Sequence, residues 1–368
     1  MSNPKVEINI RKLIANTKTI VDLAKNESIE VMGVGKAVCA DLEVAKAMLA
    51  GGVKGLADSR IENLEYLRKN LDLSGLELML LRIPMLSEVS KVVKYADISL
   101  NSEIKIIKAL DKEAKKANKR HKIILMVDVG DRREGIMPEN VISVVDRITN
   151  LSNIELVGLG TNLACFGGVL PSDKNMQLLI DLTDRINNKF GLNLKHISGG
   201  NSSSLPRLKE KGLPDSITQL RVGETILIGS NVINREPFPG TCQDAFLLRA
   251  EIVELKDKPA QPEGARGQNA FGEESIITKT GIRKRAILGI GRQDIDIDGL
   301  IPIDKGVEVE GGSSDHLIVD VTDFDKSLAV GDTLKFKLNY SSLLSAMTSQ
   351  YVDITYHNLN QVANRKVG

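Results

Sequence analysis

Tryptophan is absent from the 368-residue chain, and aromatic residues make up only 3% of it. Because proteins that bind single-stranded nucleic acid stack the bases on aromatic side chains, this scarcity argues against that class of function. The formal net charge is +1, so no general attraction to nucleic acid or to an anionic membrane is expected. The densest basic stretch, residues 115–122, is interpreted as the solvated end of a helix.

Cysteine is also scarce, and Cys39, Cys165 and Cys242 show no metal-ligand spacing. The four histidines show none either, so no metal site is expected. An odd, sparse set of thiols is typical of a reduced, cytoplasmic protein. The first residues, MSNPKVEINIRK, lack the apolar stretch of a signal peptide. No stretch approaches the roughly 18 apolar residues of a membrane span. We therefore expect a cytoplasmic protein without a membrane partner.

Short apolar runs alternate with segments of helical periodicity over residues 11–230. The runs are continuous rather than alternating, as strands buried on both faces are. Eight of them are predicted strands: 30–34, 55–57, 77–82, 97–100, 122–127, 155–160, 195–197 and 219–222. Eight repeats of a β/α unit predict an α/β fold with a closed, eight-stranded β/α barrel like that of TIM-barrel proteins.

After residue 230 the helical periodicity disappears. Short β-like runs, separated by Gly and Asp turns, follow at 246–253, 286–288, 316–321, 333–338 and 352–356. They predict a C-terminal all-β domain over residues 231–368, with residues 256–274 as a polar Pro/Gly loop. The first strand precedes the barrel, and we assign residues 1–10 to this β domain.

In a β/α barrel the active site lies at the C-terminal ends of the strands. Lys36 follows the first predicted strand, in IEVMGVGKAVCAD. A desolvated lysine with a lowered pKa is a good nucleophile and can form a Schiff base, although an ion pair with a carboxylate is the simpler alternative. GVGK is not a phosphate-binding P-loop, since that motif needs Gly where Glu30 stands and Ser or Thr where Ala37 stands.

Three later strand ends also carry candidate ligand groups. HISGGNSSS (196–204) offers hydroxyls and backbone amides for a phosphate, or simply a helix N-cap. QLRVGET (219–225) places Arg221 at a strand end, as a ligand contact or in a structural ion pair. MVDVGDRREGI (126–136) contains Arg133, which can grip a carboxylate or belong to a salt-bridged loop. Together these groups predict a barrel mouth suited to an anionic ligand.

The ordered segments VGKAVCAD, GLADSRIENL, LLRIPM, VDVGDRREGI, GGNSSSLP and QLRVGETILIG resemble the alanine racemase family of fold type III pyridoxal-phosphate enzymes. Within that family the sequence is most similar to the ornithine racemase subfamily. The resemblance covers essentially the whole chain, and the order of the segments makes the set specific. It implies an amino-acid racemase, hence an isomerase, with pyridoxal 5'-phosphate as cofactor and a head-to-tail homodimer as its assembly.

The resemblance also implies roles for individual residues. Lys36 corresponds to the lysine that holds the cofactor as a Schiff base and serves as a base. Arg221 corresponds to the arginine at the pyridine nitrogen, and because arginine stays protonated it favours proton exchange over other chemistries. The other positions that correspond to cofactor-binding residues are Arg133, Asn162, Asn201, Ser202, Gly223, Glu224 and Ser349.

Several positions depart from alanine racemase. Ile290 stands where that enzyme has the tyrosine that serves as second base, and Ala40 replaces a tyrosine soon after the lysine. The second acid/base is therefore not where alanine racemase has it. Its candidates are Ser314, His316 and Cys39.

The loss of tyrosine and the acidic residues Asp58, Asp131 and Glu134 near the mouth suit a longer, cationic substrate. Ornithine, lysine and arginine are therefore the expected substrates. Three alternatives remain open: a pyridoxal-phosphate carrier without catalysis, a fold type III decarboxylase, and a phosphate-binding barrel in which Lys36 is only a point charge.

Overall fold

The computed structural model describes residues 4–274 and 277–359. The chain divides into two compact units. One unit is Ile10–Cys242, and the other combines an N-terminal stretch ending at Asn9 with Gln243–Asn358. The N-terminal stretch contains the first strand, β1 (Lys5–Asn9).

The first unit is built around a closed barrel of eight parallel strands. Each strand pairs with the next, and β2 pairs with β9 to close the barrel, with Glu30 beside Gln219. The strands are β2 (Glu30–Val34), β3 (Gly55–Asp58), β4 (Glu77–Leu80), β5 (Ile98–Asn101), β6 (His121–Met126), β7 (Ile154–Gly160), β8 (His196–Ser198) and β9 (Gln219–Val222). The predicted eight-stranded barrel is confirmed, with differences of one to a few residues at the strand ends.

The helices of this unit follow the strands. Their starts are locally encoded: the Asp41 carboxylate accepts a hydrogen bond from the Val44 amide (2.9 Å), and Ser172 and Asn175 form a capping box. The helices are α1 (Ile10–Lys25), α2 (Leu42–Ala50), α3 (Ile61–Asn70), α4 (Val89–Tyr95), α5 (Ile104–Lys116), α6 (Val141–Thr149), α7 (Asp173–Phe190), α8 (Leu205–Lys211) and α9 (Glu224–Ile228).

The centre of the barrel is an apolar cluster of alternate strand residues. Its members are Met32, Val34, Ala57, Met79, Ile98, Leu100, Ile124 and Met126. Because alternate residues of a barrel strand point inward, this cluster fills the interior and leaves the strand ends to carry polar groups. Close strand approach is needed at Gly158, where an added Cβ would lie 2.0 Å from the His196 carbonyl oxygen.

The segment after the last barrel strand stays with the barrel unit. Asn16, buried on α1, donates to the carbonyls of Ile226 (3.1 Å) and Cys242 (2.9 Å) and accepts from the Cys242 amide (2.7 Å). Thr241 donates to the Gly229 carbonyl (2.8 Å). These contacts hold residues 229–242 to α1.

The second unit contains the predicted C-terminal β fold. Its main sheet has the order β12-β15-β10-β11-β14-β13, and β1 pairs antiparallel with β10 and parallel with β16. The one helix described in this unit, α10 (Tyr340–Thr348), follows β15. The strands are β10 (Phe246–Pro259), β11 (Ile282–Leu288), β12 (Leu300–Pro302), β13 (Glu308–Gly312), β14 (Leu317–Asp320), β15 (Thr333–Leu338) and β16 (Asp353–His357).

No helix in the described residues has both the length and the apolar character that crossing a membrane requires. No group of three or more His, Cys, Asp or Glu side chains in residues 4–274 and 277–359 is arranged to hold a metal ion.

Candidate active site

Lys36 lies at the C-terminal end of the first barrel strand, as the first residue of the 3-10 turn Lys36–Val38. The turn is tied to the neighbouring strand, since the Gly35 amide donates to the Ala57 carbonyl (3.0 Å). The Lys36 side chain is exposed at the barrel mouth. Its positive charge acts on Asp58, Cys165 and Glu224, which come from three other strand ends. Lys36 is thus surrounded by titratable groups.

Asp58 ends strand β3, beside Lys36, and its side chain is buried with 0% of the residue exposed. Oδ1 accepts from the Arg60 amide (2.9 Å) and from Asn63 Nδ2 (3.0 Å). Oδ2 is buried and has no hydrogen-bond partner within the described part of the chain. Burial raises the pKa of Asp58 to about 6, although the Arg60 amide, Asn63, the Ser59 amide and the Lys36 charge oppose this.

Arg221, near the end of β9, is a buried cation with 4% of its surface exposed. It donates to the Thr161 carbonyl (2.6 Å) and to the Ser198 hydroxyl. Burial lowers the pKa of Arg221 to about 10, and the charge of Glu134 opposes that shift. The guanidinium is therefore protonated at neutral pH. Both of these hydrogen-bond partners are neutral, so the charge of Arg221 is available to a group bound at the mouth.

A chain of hydrogen bonds crosses the ends of β6, β7 and β8. Arg133 contacts the Glu134 carboxylate, and Glu134 Oε1 accepts from Asn162 Nδ2 (3.2 Å). Asn162 Oδ1 in turn accepts from Asn201 Nδ2 (2.8 Å). Burial raises the pKa of Glu134, but the hydrogen bond and charge of Arg133, the hydrogen bond from Asn162 and the charge of Arg221 together lower it below its usual value. The structure therefore brings these four predicted site residues together.

The serine segment after β8 presents one open hydroxyl. Ser203 and Ser204 turn their hydroxyls toward the carbonyls of Leu163 (3.4 Å) and Gly199 (2.7 Å). The Ser202 side chain makes no hydrogen bond to any residue that the structure describes, although Ser202 is only 5% exposed. Ser202 is thus the one hydroxyl of this segment left for a ligand.

The end of β9 comes close to the end of β2. A Cβ added to Gly223 would lie 3.0 Å from Val34 Cβ, so a side chain there would push the two strand ends apart. The next residue, Glu224, binds Arg235 (2.6 Å), and burial raises the pKa of the Glu224 carboxyl. The carboxylate of Glu224 is therefore engaged within the barrel unit, and only its backbone remains as a ligand group.

Asp131 does not present its carboxylate to a substrate, contrary to the sequence-based expectation. The residue is 2% exposed. Its carboxylate accepts from the backbone amides of Cys165 (3.2 Å), Phe166 (2.9 Å) and Val169 (3.2 Å). Asp131 therefore fixes the loop after β7. A loop rich in Gly gives no side-chain pattern from which such backbone acceptance could be predicted.

Cys165 is a site residue that the sequence analysis did not single out. Its Sγ accepts a hydrogen bond from Asn201 Nδ2 (3.2 Å). Partial burial raises the pKa of the Cys165 thiol, while the charges of Arg133 and Lys36 lower it. The sequence signal that points to Cys165 is its position shortly after strand β7, three residues after Asn162.

The remaining predicted residues are spread over both units. Cys39, close to Lys36, has a left-handed backbone (φ 49°), and partial burial together with Asp58 raises its thiol pKa. Ser314 and His316 are exposed in the C-terminal unit, where the His316 ring nitrogen Nδ1 contacts Asp315 (3.1 Å). Ser349, in the same unit, donates to Asp294 (2.6 Å). Their predicted roles stay predictions.

Comparisons with known proteins agree with this architecture. Residues 8–231 match the family model described as alanine racemase, N-terminal domain. The ornithine racemase of Acetoanaerobium sticklandii is 46% identical over 95% of this chain and 98% of its own length. The lysine racemase of Thermotoga maritima is 39% identical over 97% of this chain and 99% of its own.

Solved structures share the fold at lower identity. Alanine racemase from Clostridium difficile 630 superposes with a TM-score of 0.72 at 22% identity, covering 97% of this chain and 96% of its own. Alanine racemase from Bartonella henselae, solved with covalently bound pyridoxal phosphate, has a TM-score of 0.74 at 20% identity, covering 97% and 100%.

A β/α barrel with a lysine at the end of its first strand, followed by a unit built mainly of β-strands, defines the class of the protein: the chain belongs to the alanine racemase family. Racemases of 46% and 39% identity span nearly its whole length. The protein is an amino-acid racemase, as predicted from the sequence.

Proposed function

We propose that the protein interconverts the L and D forms of a basic amino acid, with ornithine and lysine as first choices, and that it uses pyridoxal 5'-phosphate. The substrate proposal is supported by the names of the two relatives, ornithine racemase and lysine racemase. The observation that carries the cofactor proposal is the exposed Lys36 at a barrel mouth that also holds the protonated, buried Arg221.

The residues at the mouth fit pyridoxal phosphate. Ser202 has a hydroxyl without a partner in the described residues, and a side chain at Gly223 would crowd Val34 where β9 approaches β2. A hydroxyl and closely approaching backbone are the groups that bind a phosphate. Arg221 adds a permanent positive charge for an acceptor nitrogen. These features support binding of an anionic, aromatic cofactor.

The proposal assigns a contact with the cofactor to each of the predicted cofactor-binding residues. Lys36 would bind the cofactor through its amine, and Arg221 would face the ring nitrogen. Ser202 and the backbone at Gly223 and Glu224 would hold the phosphate. The remaining contacts would come from Arg133, Asn162 and Asn201 of the hydrogen-bonded chain and from Ser349.

Racemisation needs a proton removed from one face of Cα and returned to the other. When bound, pyridoxal phosphate withdraws electrons from the Cα–H bond and so acidifies that proton. The Lys36 amine accepts the proton on its own face and becomes an ammonium. A second group donates a proton on the opposite face, and its candidates are Cys39, Ser314 and His316. Cys165 joins them because the Lys36 charge reaches it.

The acidic groups of the mouth are largely engaged. Asp131 binds backbone amides, and Glu134 binds Arg133 and Asn162. Asp58 keeps one carboxylate oxygen without a partner in the described residues, but the residue is buried at the end of β3. The preference for a cationic substrate therefore rests on the relatives' names. We also propose the head-to-tail homodimer that the family resemblance implies.

The test is a chiral assay on a panel of L-amino acids, with pyridoxal phosphate added and both the D-isomer and CO2 measured. We expect D-ornithine or D-lysine to form at least about tenfold faster than D-alanine, a difference of about 1.4 kcal/mol in transition-state binding. CO2 without D-isomer would show a decarboxylase. Visible cofactor absorbance without any turnover would show a carrier.

A pair of variants tests Lys36 itself. Lys36→Ala and Lys36→Arg should both abolish racemisation and the change in visible absorbance that accompanies binding of the cofactor through Lys36, because neither side chain offers a primary amine. Lys36→Arg keeps the positive charge, so it is the matched control for a point-charge role. Retention of function in Lys36→Arg alone would support that alternative.

A further inference from the structure

Asp58 carries a buried oxygen that the fold leaves without a hydrogen-bond partner. Oδ1 is satisfied by the Arg60 amide and by Asn63, whereas Oδ2 has no partner in residues 4–274 and 277–359. The residue is 0% exposed, so bulk water does not solvate this oxygen. A buried, unpaired acceptor is unfavourable and marks a position that a donor is expected to occupy.

The unpaired oxygen faces the backbone that carries Lys36. A Cβ built on Gly35 would lie 3.9 Å from Oδ2, and Lys36 is the next residue. The pairing of β2 with β3 sets this geometry, since Val34 lies beside Ala57, directly before Asp58. The positive charge of Lys36 acts on Asp58. The absence of a side chain at Gly35 leaves the space between them open.

The other charged groups around Asp58 do not occupy this position. Cys39, from the turn after β2, is influenced by both Asp58 and Arg60. Arg60 contacts Asp58 through its backbone amide. On the β4 side, Arg82 binds the Glu88 carboxylate (3.0 and 3.1 Å). Lys36 is therefore the cation placed to use Oδ2.

We infer that Asp58 is a positioning residue for Lys36, with Oδ2 accepting a hydrogen bond from the Lys36 ammonium whenever Lys36 carries the extra proton. The inference rests on the proposed function, in which the Lys36 amine accepts the Cα proton. The proton stays on Lys36 and is later released from it. Asp58 remains a carboxylate throughout, and it stabilises the ammonium without taking part in proton transfer.

The test measures the proton affinity of Lys36 in the full-length protein freed of cofactor. An amine reagent such as acetic anhydride labels only the neutral amine, so the pH dependence of labelling at Lys36, read by mass spectrometry, reports its titration. The exposed Lys108 on α5 provides an internal reference in every sample. In Asp58→Asn the midpoint of Lys36 labelling should fall by about one pH unit or more, since an opposite charge nearby favours the charged amine.

Asn63→Ala is the matched control. It removes the hydrogen bond to Oδ1 but keeps the carboxylate beside Lys36, so its labelling midpoint should stay near that of the wild type. An unchanged midpoint in folded Asp58→Asn, checked by circular dichroism, would overturn the inference. An equal shift in both variants would also overturn it, since it would reflect local distortion. If Asp58→Asn does not fold, Asp58→Ser, which also removes the carboxylate, serves as the second variant; its midpoint should fall in the same way, and an unchanged midpoint would overturn the inference.

In the loaded enzyme, Asp58→Asn should lower kcat and shift its pH profile while KM changes little, because the ammonium forms only during turnover. The labelling experiment needs neither cofactor nor substrate. A failure of the proposed function would therefore leave the labelling result standing, whereas normal racemisation with unshifted labelling would reject only the role of Asp58.

Discussion

Two buried titratable groups of the barrel unit should have opposite effects on how its stability depends on pH. His121, at the start of β6, is 1% exposed, and its Nε2 lies 2.8 Å from the Ser99 hydroxyl. Burial lowers the pKa of His121 to about 4. Burial raises the pKa of Asp58 to about 6.

The signs follow from proton binding. Between about pH 4 and 6.5 the unfolded chain binds a proton at His121 that the folded chain does not, so stability falls as pH falls. Between about pH 6 and 3.8 the folded chain binds a proton at Asp58 that the unfolded chain does not, so stability rises as pH falls. Each effect reaches about 3 kcal/mol, from roughly two pKa units at 1.36 kcal/mol each.

The two effects should nearly cancel in the wild type. At about pH 5, His121 has cost about 2 kcal/mol and Asp58 has contributed about 1.4 kcal/mol, which leaves a net change below about 1 kcal/mol. Replacement of either residue should reveal the pH dependence of stability that the other residue causes. His121→Gln, which keeps a hydrogen-bonding group near Ser99, should become more stable relative to wild type as pH falls. Asp58→Asn should become less stable relative to wild type.

The assay is urea denaturation at fixed protein concentration, followed by far-UV circular dichroism between about pH 4.5 and 7.5. The informative quantity is the difference in unfolding free energy between each variant and the wild type. His196, whose pKa is also lowered by burial, is present in all three proteins and drops out of the difference. Differences that are flat with pH, or that slope the same way for both variants, would refute the reasoning.

Two further predictions concern backbone contacts of the barrel unit. Asp131→Asn removes the charge that three backbone amides of the loop after β7 contact. Limited proteolysis at Phe166, which is 77% exposed, should therefore become several-fold faster. Asp173→Asn, on a side chain 83% exposed, is the control and should leave the proteolysis rate unchanged; equal rates in the two variants would contradict the prediction. Gly158→Ala places a methyl group 2.0 Å from the His196 carbonyl oxygen and should lower the free energy of unfolding by about 3 kcal/mol, measured by thermal unfolding. Gly168→Ala, at a position with positive φ but no close neighbour, should lower it by about 1 kcal/mol. Similar losses of stability in the two variants would contradict the prediction.

The barrel was predictable because its strands are continuous apolar runs bounded by turns. The predicted run 155–160 corresponds to β7, and the run 195–197 corresponds to β8, shifted by one residue. Helix α1 is less evident in the sequence, because its buried face includes the polar residues Asn16 and Thr17. The partners of Asn16, Ile226 and Cys242, lie more than 200 positions away, and no local pattern reveals them. Helices α4, α8 and α9 are shorter than the windows in which helical periodicity can be counted.

The site was partly predictable because barrel topology places strand ends at one rim. This rule predicts that four polar residues lie at the same rim of the barrel: Lys36, Arg133, Asn201 and Arg221. The rule does not distinguish a carboxylate that faces the mouth from one that accepts hydrogen bonds from backbone amides, as Asp131 does. Hydrogen bonds to backbone depend on the loop conformation, which the residue types alone do not determine.

The pairing of β1 has a consequence for the order in which the chain folds during synthesis. β1 is made before the other described strands, but its partners are β10 and β16, and β16 is the last strand of the described chain. The eight barrel strands precede β10 and β16 in the sequence, so the barrel can form while β1 is still unpaired. Since domains fold as they emerge, β1 keeps an unpaired edge until β10 and β16 have both been made, and such an edge can pair with another chain.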